Sequence, residues 1–133
     1  GIPLDFKFYC FGSDVVFVHV IQRKSALDRN LNRHWFLTEN WSPLYMRIKR
    51  LESAEPDIPE KPLFFPEMLQ MAQTLGGRLN AFMRIDLYAT TRGPVFGEFT
   101  PFPNKGRGYT PEADAWLGSL WHGTEGAGEM VIE

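Results

Sequence analysis

The chain opens with two runs of β-branched and aromatic residues, Leu4 to Phe11 and Val15 to Ile21, separated by the turn-forming Gly12-Ser13-Asp14. The pattern predicts a hairpin that is apolar on both faces and therefore covered on both. Asp5 and Lys7 are the exceptions; two positions apart, they share one face. From residue 23 to 62 the periodicity is lost. Pro43, Pro56, Pro59 and Pro62 exclude a long helix, so the segment reads as a long irregular loop in which only Leu44 to Leu51 could form a short helix. At Pro66, a favourable first helical residue, order returns: Met68, Leu69, Ala72 and Leu75 fall at helical spacing, and Gly76-Gly77 is expected to end that helix. Ala81 to Ala89 and Pro94 to Thr100 read as a second strand pair. Thr110-Pro111-Glu112 has the order of N-cap, N1 and N2, followed by an apolar stripe of Ala113, Trp116, Leu117, Leu120 and Trp121.

These elements predict an α+β fold, an antiparallel sheet of two hairpins packed with two helices. At 133 residues the chain suits one domain. Residues 1–122 are assigned to it, and the Gly-rich stretch 123–133 to a flexible tail. A composition 44% hydrophobic and 23% charged is that of a folded protein. The formal net charge of −2 provides no bulk basic field, so nucleic acid is not expected as a partner and any ligand must be held by local charge. A lone cysteine, Cys10, excludes an internal disulfide and suits a reducing compartment. Without a long apolar run or a leader-like start, a membrane span and a signal peptide are not expected, which leaves a cytoplasmic location. The start inside a strand-like run suggests a piece of something longer.

The chemistry concentrates in the second hairpin. In Arg84-Ile-Asp-Leu-Tyr, Thr91-Arg-Gly and Val95-Phe-Gly-Glu-Phe-Thr, a three-residue loop ending at Gly93 sets Thr90 opposite Pro94. The register then carries Tyr88 opposite Phe96 and Asp86 opposite Glu98, with Arg84 and Thr100 on the same face. Opposed side chains lie about 4.5–5.5 Å apart at Cβ. Two carboxylates that close need a cation or a shared proton, and Mg²⁺ would satisfy them while keeping positions open for water and phosphate. On spacing alone, the default reading is ordinary solvent-facing acids on an edge hairpin. Ile85, Leu87, Val95 and Phe99 are expected to point the other way, into a core.

Arg84-Ile-Asp-Leu-Tyr followed by Phe96-Gly-Glu-Phe-Thr resembles the paired strands of ATP-grasp enzymes. With Pro3-Leu-Asp-Phe-Lys-Phe-Tyr-Cys-Phe-Gly and Asp114-x-x-Leu-Gly, the chain from Pro3 to about Trp121 resembles the TupA-like ATP-grasp family, in its C-terminal half. Members are associated with bacterial cell-surface polysaccharide synthesis, including teichuronopeptide. The resemblance implies the C-terminal subdomain of an ATP-grasp fold, with ATP and Mg²⁺ as cofactors. It implies a carboxylate–amine ligase in which MgATP phosphorylates a carboxylate substrate and an amine displaces the phosphate.

Under that resemblance Asp86 and Glu98 would be Mg²⁺ ligands. Thr100 stands where many family members carry a further metal-ligating Asn. Arg84 would face the acyl phosphate, although a salt bridge to one of the acids fits it as well. Lys7 and Arg23 match positions that reach ATP phosphates, with sheet-edge and solvated roles as alternatives. The adenine clamp would come from an earlier subdomain, so a missing N-terminal portion or a partner chain is expected to complete the nucleotide site.

Pro103-Asn-Lys-Gly-Arg-Gly108, with Lys105, has the composition of an anion-binding loop, or of an exposed turn. His19, His34 and His122 do not cluster in sequence and read as structural. Cys10, on the face of Phe6 and Phe8, reads as a buried small apolar residue. Trp35, Phe36 and Trp41 read as packing for the long loop, with stacking on a sugar or base as the alternative. Arg47-Ile-Lys-Arg50 reads as a solvated basic cluster. A non-catalytic binding or assembly domain, or a carbohydrate-binding module, is the alternative to a ligase.

Overall fold

β-Forming segments from both halves of the chain join one antiparallel sheet. Its strands are β1 (Leu4–Phe11), β2 (Asp14–Gln22), β3 (Arg33–Leu37), β4 (Phe82–Thr90) and β5 (Gly93–Pro101), ordered β3-β2-β1-β4-β5. Helix α1 spans Phe65–Leu79 and α2 spans Pro111–Leu120. The computed structural model describes residues 4–23, 27, 31–44, 46–49, 54–101 and 108–120. No helix among them is long and apolar enough to cross a membrane.

The alternation of β1 divides the core. Phe6, Phe8 and Cys10 face α1 and pack with Met68, Ala72, Ile85 and Leu87. Tyr9 and Phe11 face the other way and pack with Phe17, Phe36, Phe82, Ala113 and Leu117 of α2. A central strand buried on both faces is the predicted outcome for an apolar ribbon. Thr110 caps α2 as its position implied, accepting a bond from the Ala113 N–H at 3.1 Å.

Four local expectations are corrected. Residues 23–62 are not wholly irregular: Arg33–Leu37 forms β3 on β2, with Trp35, Phe36 and Leu37 buried. The stretch from Leu44 is not helical among the described residues; Leu44 N–H bonds to the Phe36 carbonyl and Lys49 bridges to Tyr109. Helix α1 runs through Gly76-Gly77 and ends in left-handed Asn80. Gly76 serves approach rather than termination, since a Cβ there would stand 2.2 Å from the Gly12 carbonyl oxygen. The β4–β5 turn has two residues, Thr91 and Arg92, so Thr90 pairs with Gly93 and Tyr88 with Val95.

That shorter turn would have put Asp86 out of register with Glu98. A β-bulge between Asp86 and Leu87 takes in Gly97 as an extra residue, and beyond it Asp86 faces Glu98 and Arg84 faces Thr100. A fifth correction concerns the exposure of β5. Ile85 and Leu87 are fully buried, but Val95 and Phe99 are 48% and 40% exposed, because β5 is the sheet edge beyond the reach of α1.

Candidate metal and phosphate site

Strand register lines up chemically active side chains across the α2 side of the sheet. Lys7 lies between His19 on β2 and Asp86 on β4, and Asp86 faces Glu98 on β5. One row along, Tyr9 lies beside Arg84, which faces Thr100.

Asp86 is the centre of this surface and is only 4% exposed. Lys7 Nζ lies 3.1 Å from its Oδ2. Arg84 donates from Nε to Oδ1 at 2.8 Å and from Nη2 to Oδ2 at 3.0 Å, a bidentate pair. Arg84 Nη2 also reaches Glu98 Oε1 at 3.4 Å, so one guanidinium bridges both carboxylates. Burial works against the Arg84 charge, but the hydrogen bonds and charge of Asp86, with a smaller share from Tyr9, overcome it and raise its pKa. The cation that two opposed acids require is therefore supplied in part by the protein itself.

The oxygens are of the kind that Mg²⁺ takes, although Lys7 and Arg84 now occupy both oxygens of Asp86. Two facing carboxylates with a threonine hydroxyl alongside offer few protein oxygens, which suits an ion that keeps waters and shares phosphate oxygens. Among the described residues no group of three or more His, Cys, Asp or Glu could hold a metal by itself, so an ion here would need its substrate as a ligand.

A family model described as TupA-like ATPgrasp matches residues 3–122. The chain belongs to the TupA-like ATP-grasp family. No curated protein and no solved structure matches the chain. The ATP-grasp family generally binds ATP and Mg²⁺, and an antiparallel sheet with two helices is consistent with one of its subdomains.

Within this TupA-like chain the other candidates fall in different places. Arg23 is not beside Asp86; just past the end of β2, it donates to Asp5 near the start of β1 at 2.6 Å, and is half exposed. Lys105, with residues 102–107, lies outside the described residues, as do Trp121, His122 and the tail. Thr100 lies opposite Arg84, one row from the acids.

The expectation that the histidines stay apart is corrected for one pair. His19 Nε2 and His34 Nδ1 are 2.9 Å apart, because His34 faces Ile21, diagonal to His19 on the same face. Burial first, then the positive charges of His34, Lys49, Lys7 and Arg84, lower the pKa of His19 well below 6.5. Of the two uses open to Trp35 and Trp41, the structure shows packing of the long loop. Both rings are buried, and their indole N–H groups donate to the carbonyls of Asp57 and Pro59.

Sequence reasoning missed Lys49. Its basic neighbours read as a solvated cluster, yet it is 2% exposed and its ammonium lies over the rings of Tyr109 at 4.2 Å and Tyr9 at 5.3 Å. The alternation of Arg47, Ile48 and Lys49 would have put Lys49 opposite to Ile48, whereas both are buried between the sheet and the strap at Tyr109.

Proposed function

We propose that this surface holds the metal and phosphates of MgATP in a ligase that activates a carboxylate as its acyl phosphate and joins it to an amine. The observation that carries this reading is Asp86 opposite Glu98 with Arg84 bonded to both, in a chain of the TupA-like ATP-grasp family. Asp86 and Glu98 would hold Mg²⁺, with Thr100 as a neighbouring hydroxyl. Bound there, the ion would neutralise phosphate charge and orient the phosphates. With a metal held on Asp86, Lys7 and Arg84 would share that carboxylate with the ion and would have charge left for oxyanions. Lys7 would meet phosphate oxygens, and Arg84 would face the acyl phosphate and stabilise its developing oxyanion. Arg23, paired here with Asp5, and Lys105, which follows β5 in the sequence, would add positive charge for the phosphates. The family's association with cell-surface polysaccharide makes a polymer of that kind the natural product.

Calorimetric titration of MgATP into the full-length protein, its Glu98→Gln form and its Asp86→Asn form tests this. Mg²⁺-dependent affinity should fall at least tenfold in both variants. Unchanged affinity in both would remove the metal assignment.

One observation favours a second reading, a binding domain without turnover. Asp86 has both oxygens satisfied by Lys7 and Arg84, so the cluster is complete as an ion-pair network. MgATP binding with no phosphate release under any acceptor would favour it.

A further inference from the structure

On the outer edge of β3 the chain binds a stretch of itself in a way that none of the roles above uses. Residues 54–59 return beside His34: Ala54 bridges to it, and the Glu55 N–H donates to its carbonyl at 2.8 Å. Two indoles then take over. The Trp35 N–H donates to the Asp57 carbonyl, and the Trp41 N–H donates to the Pro59 carbonyl at 2.9 Å. Carbonyls two residues apart in an extended chain point the same way, so the indoles read backbone direction and spacing. The segment's own side chains add little to this hold. Ile58 is 40% exposed and the Asp57 carboxylate 75%, so the Arg33 guanidinium that meets Asp57 at 3.1 and 3.3 Å makes a surface pair. Pro56 and Pro59 fix the segment's φ angles before it docks, which lowers the entropy lost on docking.

The shelf beneath is built more firmly than its occupant. Trp35 is buried with the Arg33 guanidinium 4.9 Å above its ring, and Trp41 is buried edge-on against Phe65, with centroids 4.9 Å apart. Trp41 adopts φ +62, a left-handed conformation that a bulky side chain rarely takes. The Thr38 hydroxyl accepts from the N–H groups of Asn40 and Ser42, each at 3.2 Å, and holds the turn in which Trp41 sits. Backbone strain of this kind persists where its surroundings enforce it, and it collects at ligand clamps. Here it aims an indole N–H at a peptide carbonyl.

We propose that Arg33, Trp35 and Trp41 form a recognition site for an extended, proline-flanked acidic segment, filled here by the chain's own residues 54–59 and open to a segment of the same kind from a partner protein. The chemistry is that of aromatic grooves that take proline-rich segments, with indole N–H groups on alternate carbonyls of a preformed extended backbone. Arg33 adds selection for an acid at the position of Asp57. Tethering gives the chain's own segment a high effective concentration, so a partner gains access when that segment is weakened or when the partner brings further contacts. Trp35 and Trp41 pack with the core on the α1 side of the sheet, whereas Asp86 lies on the α2 side. The site is therefore separate from the metal and phosphate surface and independent of the role proposed for it.

In ¹⁵N-labelled full-length protein, hydrogen exchange at the Trp35 and Trp41 indole N–H groups reports the segment directly. Both should exchange at least tenfold faster than the β1 amides, at a rate that low urea leaves unchanged, because the segment opens without the sheet. Indole exchange that rises with urea in parallel with the β1 amides would overturn the proposal, since the segment would then open only when the sheet does. A synthetic peptide with the sequence of residues 54–61 is next titrated into wild type and into Asp57→Ala/Pro59→Gly, which weakens the chain's own segment. In the double variant the peptide should move both indole signals saturably towards their wild-type positions. It should bind there at least tenfold more tightly than to wild type. Alanine in place of both prolines of the peptide, or Arg33→Gln added to the double variant, should each weaken binding at least threefold. The absence of a saturable shift in a double variant whose β1 and β4 amide signals match wild type would overturn the proposal. Equal affinity for the proline and alanine peptides would do the same.

Discussion

Gly97 lies against Tyr88: a Cβ on Gly97 would stand 2.5 Å from a Tyr88 ring carbon and 3.1 Å from the Asp86 carbonyl oxygen. Gly97 is the extra residue that brings Glu98 opposite Asp86. The Tyr88 ring is 39% exposed and can swing aside, whereas the Asp86 carbonyl belongs to the sheet and can give little. Gly97→Ala should therefore cost about 1–2 kcal/mol in urea unfolding. It should also weaken Mg²⁺-dependent ATP binding by moving Glu98. Equal MgATP affinity in Gly97→Ala and wild type would show that the bulge does not set the spacing of the acids.

Gly76 presents a harder constraint. Its missing Cβ would sit 2.2 Å from the Gly12 carbonyl oxygen, and Gly12 is held at φ +58 in the β1–β2 turn. Backbone meets backbone there, so neither side can rotate away. Gly76→Ala should cost about 3 kcal/mol, at the upper end for overpacking. Gly77→Ala, whose Cβ would meet only Ser13 Cβ at 3.4 Å, should be neutral or stabilising. Chemical denaturation of the pair decides it: similar midpoints would mean that α1 does not bear on the turn through Gly76.

Those two glycines also mark what the sequence made legible and what it hid. Alternation identified both hairpins and the faces of β1, because each strand pairs with a neighbour and carries its own pattern. A three-residue loop sets Asp86 opposite Glu98, but the protein uses a two-residue turn plus a bulge. The two differences cancel beyond Asp86 and show only nearer the turn, where Tyr88 faces Val95. Gly76-Gly77 carries the composition of a helix stop, and only the distance to Gly12 reveals its other use. β3 is five residues long, set among polar neighbours, and paired through an excursion of ten residues from β2, so local pattern gives it little support. His19 and His34 are fifteen apart in sequence, and only the placement of β3 brings them together.

The buried histidine makes stability depend on pH. The pKa of His19 lies well below 6.5 in the folded chain, through burial and then the positive charges around it. Below its ordinary pKa the unfolded chain binds a proton that the folded chain refuses, so stability is full above that point and falls as pH drops. The slope for this one group is at most about 1.4 kcal/mol per pH unit, between about pH 5 and 7. Urea unfolding across that range should show the loss, and His19→Gln should flatten it. A variant with the wild-type slope would assign the effect to other groups.

Cys10 should be inert while the chain is folded. It is fully buried on the α1 side of β1, and burial, then the charge of Asp14, pushes its thiol up to about 12. The thiolate that reacts with disulfide reagents is then scarce as well as inaccessible. Labelling by a disulfide reagent should follow unfolding, accelerating with urea in step with loss of structure. Rapid stoichiometric labelling in native buffer would contradict this burial.

Asp86 and Glu98 face each other but should not be equivalent. Glu98 has a side chain 63% exposed and a single 3.4 Å contact to Arg84, so Glu98→Gln should change stability by less than about 0.5 kcal/mol. Asp86 is 4% exposed and neutralises two cations whose side chains are themselves only 15% exposed. Asp86→Asn leaves Lys7 and Arg84 adjacent without a buried counter-charge and should cost about 3 kcal/mol. If both acids ligate Mg²⁺, the two variants should nevertheless lose MgATP affinity to a similar degree. The expected signature is thus unequal unfolding midpoints beside similar losses in titration. Mg²⁺ offers a further check, since a divalent ion on Asp86 removes the carboxylate from Lys7. The Lys7 ammonium signal should shift when MgATP is added to wild type and stay fixed in Glu98→Gln at the same concentration. A Lys7 signal that ignores MgATP would mean that the Lys7–Asp86 pair stays closed, and the surface would then be an ion-pair network rather than a metal site.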